Sequence, residues 1–453
     1  MIQKLLSLSC LFHAILALAT LEPTGSKQMY LGSWYDRLHG DTPVSTNARL
    51  NYKPLAFFQS DMNMTKTLQS VEMEMYFNQV EQTQTDCFLY LTIYPMEGYD
   101  AVSDEAIADL SNRIKSITET GRKVLIRYAS EMNGSWFRYG QQPTKFIKSW
   151  QKVVDAIRAK SGKENVAFLW SPNSGNGYPF PLGPFAIKVN TPDFDPLLDT
   201  NKDGVYDIRD DPYSPFYPGD DYVDWIGMSV YHYGKEYPWE TNDPPIPGTV
   251  EKIISGQDPF GKFPFYRMFS GDGVGGAPRS VSKGGKPFMI SESAATIHLS
   301  VTKVNQVTGE EYTVVPGRKD PESRAMIKQA WWRQMINATF LETFPKIKGM
   351  SLFEFIKYEE NTWRDFTILG DTGTGIHSNY GNDGGPQDLV TLKTFQDDLK
   401  NGLGDLLLWS KTVNGSMANH KPSQANPNSK NDAVPTSSVG SVISLILAAF
   451  AFF

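Results

Sequence analysis

Cysteine is almost missing from this chain: of 453 residues only two are Cys, and Cys10 falls inside an apolar leader. Once the leader is gone Cys87 stands alone, which excludes an internal disulfide and leaves the hydrophobic core to hold the domain. Cys87 opens the apolar run Cys87-Phe-Leu-Tyr-Leu-Thr-Ile-Tyr94, so it reads as a small buried hydrophobe. The six His residues show no metal-ligand spacing, and His232 and His377 read as supports of a rim. No long basic run interrupts a net charge of −7, which argues against nucleic acid as a partner. The apolar stretch Leu5 to Leu18 is too short for a comfortable membrane span, and no short-period repeat appears. What the chain does have is aromatic material, 26 Phe and 21 Tyr within a 40% apolar composition, enough for a large core.

The ends read as processing signals. A cationic start, an apolar stretch and Ala17-Leu18-Ala19 give the pattern of a secretory signal peptide over 1–19, with a retained anchor as the alternative. A polar linker over 411–438, rich in Asn, Ser, Lys and Pro, is expected to be disordered. The apolar tail 439–453 follows it without a closing charge, the pattern of a GPI-attachment signal. The attachment residue would lie between about Asn426 and Ala433; a retained tail anchor is the alternative. The expectation is a secreted, monomeric domain over 20–410, held at the cell surface by lipid alone. Asn63, Asn337 and Asn414 stand in N-glycan sequons, and Asn133-Gly-Ser matches one formally.

Within 20–410, short apolar runs alternate with helical patterns. The runs are Tyr30–Tyr35, Pro54–Gln59, Cys87–Tyr94, Lys123–Ala129, Val166–Ser171, Val223–Tyr231, Pro287–Ser291 and Ile347–Phe355. Ser103 caps a helix with Ile107, Leu110, Ile114 and Ile117 on one face, ended by Gly121. Pro143 starts a second through Phe146, Trp150, Val153, Val154 and Ile157. Asp320-Pro321 opens a third through Met326, Ala330 and Ile336. Eight such units predict an α/β fold, a single (β/α)₈ TIM barrel with long insertions after strands five and six, 173–221 and 234–286.

Two of these strands deliver a Glu to the rim, Glu131 in Ile126-Arg-Tyr-Ala-Ser-Glu-Met-Asn-Gly-Ser-Trp136 and Glu292 in Lys286-Pro-Phe-Met-Ile-Ser-Glu292. Cleaving a glycosidic bond needs one carboxylic acid to protonate the leaving oxygen and one carboxylate to act from the other face. A strand-end Glu can equally be a solvated charge, and Glu97 and Glu354 have similar local placement.

The company of Glu131 and Glu292 separates them. From about Tyr30 to Leu403 the chain resembles glycoside hydrolase family 26, typified by endo-β-1,4-mannanases. The resemblance rests on Arg127 with Glu131-Met-Asn-Gly-Ser-Trp136, Gly140-Gln-Gln-Pro143, Phe168-Leu-Trp-Ser-Pro-Asn173, Tyr217 to Gly227, Tyr231 and Pro287 to Glu292. It implies a retaining double displacement with Glu292 as nucleophile and Glu131 as acid/base. Tyr231 would orient Glu292, Arg127 would hold it ionised, and Trp136 would floor a sugar subsite. Ser130, where the family usually has His, and Asn133 would complete the substrate contacts. The family tends to carry a Trp on strand eight; this chain has Phe353, Glu354 and Phe355 there, with Trp363 in the loop beyond as the candidate. The implied activity is hydrolysis of β-mannan or a related β-linked polysaccharide, with no catalytic cofactor. A glycan-binding barrel of weak activity and a wall-remodelling transglycosylase are the alternatives.

One further motif is independent of that resemblance. Asp199, Asn201, Asp203, Asp207 and Asp210 place oxygens at positions 1, 3, 5, 9 and 12 of a loop, with Gly204 at the turn and a carbonyl at Val205. That is the ligand logic of a calcium loop, so a structural Ca²⁺ is expected to fix one wall of the cleft; a plain acidic turn is the alternative. Tyr178, Phe180, Tyr213, Phe216, Tyr217 and Trp239 in the insertions read as sugar platforms or as loop packing.

Overall fold

The computed structural model describes residues 20–24, 27–37, 40–236, 239–256, 263–271, 285–370 and 389–413. The leader, most of the linker, the tail, Asn414 and His377 lie outside the described residues.

The strands are β1 (Met29–Tyr35), β2 (Phe57–Asn63), β3 (Phe88–Tyr94), β4 (Val124–Tyr128), β5 (Val166–Trp170), β6 (Trp225–His232), β7 (Phe288–Ala295), β8 (Ile297–Val304), β9 (Glu311–Val314), β10 (Ile347–Glu354), β11 (Ile356–Glu359), β12 (Thr362–Asp365) and β13 (Leu407–Leu408). β1 to β7 and β10 pair in parallel in sequence order, and β10 closes back on β1 with Trp34 opposite Phe353. These eight strands form a closed (β/α)₈ barrel, and each coincides with one of the eight apolar runs. Every residue of β3, β4 and β5 is buried, as expected for parallel strands covered on both faces.

The helices are α1 (Pro43–Leu50), α2 (Ser70–Glu81), α3 (Asp104–Glu119), α4 (Pro143–Ser161), α5 (Thr249–Ser255), α6 (Phe265–Phe269), α7 (Pro321–Met335), α8 (Ala338–Thr343) and α9 (Leu389–Lys400). Ser103 accepts a hydrogen bond from Ala106 N and caps α3, while Pro143 occupies the first turn of α4. Asp320 caps α7 as expected, but the buried face differs: Met326 is exposed, and Ile327, Lys328, Trp331, Trp332 and Met335 face inward. A lysine in the buried row is why the apolar spacing misleads there.

The lower lumen holds Phe57, Phe88, Tyr90, Leu125, Ala167, Leu169, Trp225 and Met289, and Leu21 packs against them. The carbonyl of Thr20 accepts from Trp225 Nε1 at 2.8 Å, so the start of the described chain seals the barrel floor. One element has no counterpart in the sequence reading. β7 continues through Thr296 into β8 and β10 through Phe355 into β11, and β11, β12, β8 and β9 form a second, antiparallel sheet. It rises from the C-terminal ends of β7 and β10, where barrels of this kind place their chemistry.

Candidate active site

β4 ends at Tyr128, and the chain then turns sharply, with Ala129 at φ 47° and Glu131 at φ 55°. Left-handed backbone at non-glycine residues persists only where the surroundings over-determine it. Here Ala129 N donates to Ile93 O at 2.8 Å and Glu131 N to Ser171 O at 2.9 Å, while Tyr139 OH donates to Ser130 O at 2.7 Å. Asn133 clasps the backbone of Asn173, donating to its carbonyl at 2.9 Å and accepting from its N–H at 2.8 Å. A Cβ on Gly134 would collide with the Trp136 ring, so glycine there lets the indole fold back toward Glu131.

The folded-back indole donates from Nε1 to Glu131 Oε2 at 3.0 Å. Glu131 is 2% exposed, and its carboxyl is pushed up to about 7. Burial is the main cause and the nearby Glu292 charge the second; Arg127 and hydrogen bonds from Ser229 and Trp136 oppose them.

Glu292 sits inside β7, opposite Ser229 of β6, just past a register shift between Met228 and Ser229. Arg127 Nη1 pairs with Glu292 Oε1, and Tyr231 OH donates to Oε2 at 2.7 Å. The second guanidinium nitrogen donates to Ser229 Oγ at 2.9 Å. Burial first, then the Glu292 charge, raises the Tyr231 phenol well above its ordinary range and keeps it a donor. Arg127, Ser229 and Tyr231 therefore link Glu131 and Glu292 in one network inside one barrel mouth. One group is poised near neutrality, and the other is clasped by a cation and a phenol.

The other expected site residues are placed differently. The Ser130 hydroxyl is buried beside that of Tyr94. Asn133 is fully buried, and its amide is spent on Asn173, a positioning contact in place of the expected substrate contact. Trp136 is 1% exposed and packs edge-on to Phe180 at 5.1 Å, so it is a wall and a donor to Glu131 more than a sugar floor. Trp363 lies in β12 beside Tyr358, in the second sheet and not in a loop. Glu354 points away from catalysis, accepting from Ile368 N at 3.0 Å and Leu369 N at 2.8 Å.

Asp199 accepts from Gly204 N, Asn201 from Asp203 N, Asp203 from Val205 N, and buried Asp210 from Thr200 N and Asp207 N. Arg209 pairs with Asp203 and Asp207, at 2.8 Å from each. Among the described residues no group of three or more His, Cys, Asp or Glu is gathered so as to hold a metal ion. Tyr178, Phe180, Tyr213, Phe216 and Tyr217 are buried packing residues, and Trp239 stacks on Tyr233 at 5.3 Å. Of the sequons, Asn337 is exposed and caps α8, whereas Asn63 is half-buried.

Sequence reasoning missed Ser229, Tyr139, and the Trp34–Asp61 pair, in which Trp34 Nε1 donates to Asp61 Oδ1 at 3.2 Å. Period-two spacing from Gln59 to Asp61 was the available signal, had β2 been carried past Gln59.

Residues 58–181 match the model of glycosyl hydrolase family 26, a span that includes Arg127, Glu131 and Trp136. No curated protein matches the chain. Among solved structures, the Bacillus subtilis mannanase man26 aligns at 11% identity, covering 73% of this chain and 80% of that one, with a TM-score of 0.38. A protein named GH26C from Muricauda sp. MAR_2010_75 aligns at 12%, covering 85% and 88%, with a TM-score of 0.45. A modular endo-β-1,4-mannanase from Cellulomonas fimi aligns at 12%, covering 85% and 72%, with a TM-score of 0.44.

Proposed function

We propose that this chain, whose residues 58–181 match the model of glycosyl hydrolase family 26, cleaves β-mannan or a related β-linked polysaccharide internally, with retention of configuration. The observation that carries the reading is the division of labour between two buried carboxyls in one network. Glu131, with its carboxyl near 7, keeps a proton available at neutral pH. Glu292 is paired with Arg127 and accepts from Tyr231, contacts that orient its carboxyl across from Glu131.

In the first step Glu292 attacks the anomeric carbon while Glu131 protonates the departing glycosidic oxygen, leaving the sugar esterified to Glu292. Glu131, now a carboxylate, removes a proton from water, which attacks the anomeric carbon and releases Glu292. Retaining pairs stand about 5–5.5 Å apart, and here Arg127 and Ser229 connect the two carboxyls. Tyr231 keeps the attacking oxygen aimed, and Trp136 keeps the acid in place. A sugar hydroxyl could replace water in the second step, which would make the enzyme a transglycosylase.

The ends of the chain support export and lipid tethering at the cell surface, where a polymeric substrate is met. Reducing-sugar release from mannan, β-1,3-xylan and mixed-linkage β-glucan, run on wild type, Glu131→Gln and Glu292→Gln, tests the reading. Wild type should cleave one of these polymers, and each variant should lose activity by orders of magnitude. Full activity in either variant would mean that the wrong carboxyl has been assigned.

A further inference from the structure

Asp61 reaches the same lumen as the catalytic pair. The ladder aligns Asp61 with Thr92 of β3, and Thr92 with Arg127 of β4. Paired residues of a parallel ladder share a face, and this face is the interior. Gln59, two residues earlier on β2, donates to Thr92 Oγ1 at 3.0 Å and accepts from Ser351 Oγ at 2.7 Å. Arg127 on the same face pairs with Glu292. Asp61 is half-buried at the level of that pair, so part of it stays open to solvent, and its Oδ1 accepts from the Trp34 indole at 3.2 Å.

The holder of that carboxylate is rigid. Trp34 is 4% exposed and braced edge-on by Phe353 at 5.3 Å and Phe355 at 5.5 Å. Tyr76 OH donates to the Asp61 carbonyl at 2.7 Å, and Arg37 lies over the Tyr76 ring. Burial raises the Asp61 carboxyl; Arg37, Trp34 and its own backbone N–H oppose that, and the Glu292 charge adds to the rise. None of this serves the nucleophilic attack assigned to Glu292 or the proton transfers assigned to Glu131.

We infer that Asp61, held by Trp34, is a substrate-positioning residue that accepts hydrogen bonds from the hydroxyls of the sugar beside the scissile bond and restricts the site to neutral glycans. Vicinal hydroxyls of a pyranose offer two donors to one carboxylate. A uronate would instead bring a further anion beside Asp61 and Glu292, with like charges opposed in a partly desolvated site. The inference rests on the glycosidase reading, and its test is chosen to be separable from it.

The test is calorimetric binding of β-1,4-manno-oligosaccharides and mixed-linkage β-gluco-oligosaccharides to the Glu131→Gln chain, with and without Asp61→Asn. An isosteric amide keeps the Trp34 contact and loses the charge, so binding should weaken roughly 10- to 100-fold, the range for a hydrogen bond to a charged group. Trp34→Phe, which keeps a ring and removes the N–H, should weaken binding less, and melting temperatures of all variants report their folding. Uronate-containing oligosaccharides should gain affinity in Asp61→Asn. Unchanged neutral-sugar affinity in a folded Asp61→Asn chain, or no glycan binding to the parent, overturns the inference. Turnover by wild type decides the catalytic reading independently.

Discussion

At the scale of single residues, the account turns on one proton. Glu131 must be protonated to act as an acid, and its carboxyl is pushed up to about 7 in the fold. Activity should therefore fall as pH rises through about 7, and Glu131→Gln should remove that limb together with the activity. The same shift has a thermodynamic side. A carboxyl whose folded value exceeds its unfolded one stabilises the fold below the unfolded value, near 4.5, and loses that contribution as pH rises through 7. Glu131→Gln should thus melt higher than wild type at pH 8, by an amount on the order of 1–3 kcal/mol, with the difference shrinking toward pH 5. Equal melting curves at both values would contradict the assignment of a buried, strained acid. The two carboxyls and their partners Arg127 and Tyr231 could be named from sequence only through the motifs around them, because strand-end placement alone would equally have offered Glu97 and Glu354. Asn133 and Trp136 could be named but not given their roles, because which way a loop side chain turns depends on the glycine at 134 and the Asn173 backbone.

At the scale of elements, the barrel strands were legible because each is an apolar run bounded by turn residues. The second sheet was not. A single residue, Thr296 or Phe355, separates β7 from β8 and β10 from β11, so each pair reads as one run. Its core also disguises itself with charge: Lys357 and Arg364 both pair with Glu359 while nearly fully buried. α7 was misread for a related reason. Lys328 is 1% exposed and donates to the carbonyls of Thr367 at 2.6 Å and Asp365 at 3.1 Å. Burial alone would raise the Asp365 carboxyl, yet Lys328 and Arg324 hold it below its ordinary value. Lys328→Met should leave Asp365 short of a partner and destabilise the domain by about 3–5 kcal/mol in chemical denaturation. A loss under 1 kcal/mol would show that Arg324 alone neutralises Asp365.

At the scale of the whole molecule, the barrel is apolar at its floor and polar at its mouth. The floor is closed by Leu21 and Trp225, immediately after the expected end of the leader. Leu21→Ala should cost about 2–5 kcal/mol as a large-to-small core change without altering substrate preference, read by thermal unfolding and kcat/KM together. The mouth gathers Arg127 and Glu131 from β4 and the loop after it, Ser229 and Tyr231 from β6 and Glu292 from β7, and the insertion after β5 packs on that loop through Asn133–Asn173 and Ser135–Phe180 hydrogen bonds. The most direct measurement of the central claim is to trap the chain with an activated 2-fluoro β-glycoside of its preferred sugar and map the modified peptide by mass spectrometry. The account predicts a single glycosyl ester on Glu292, still formed in Glu131→Gln because the leaving group needs no acid. Label on Glu354, Glu131 or Asp61, or no label while the polymer is being cleaved, would contradict it.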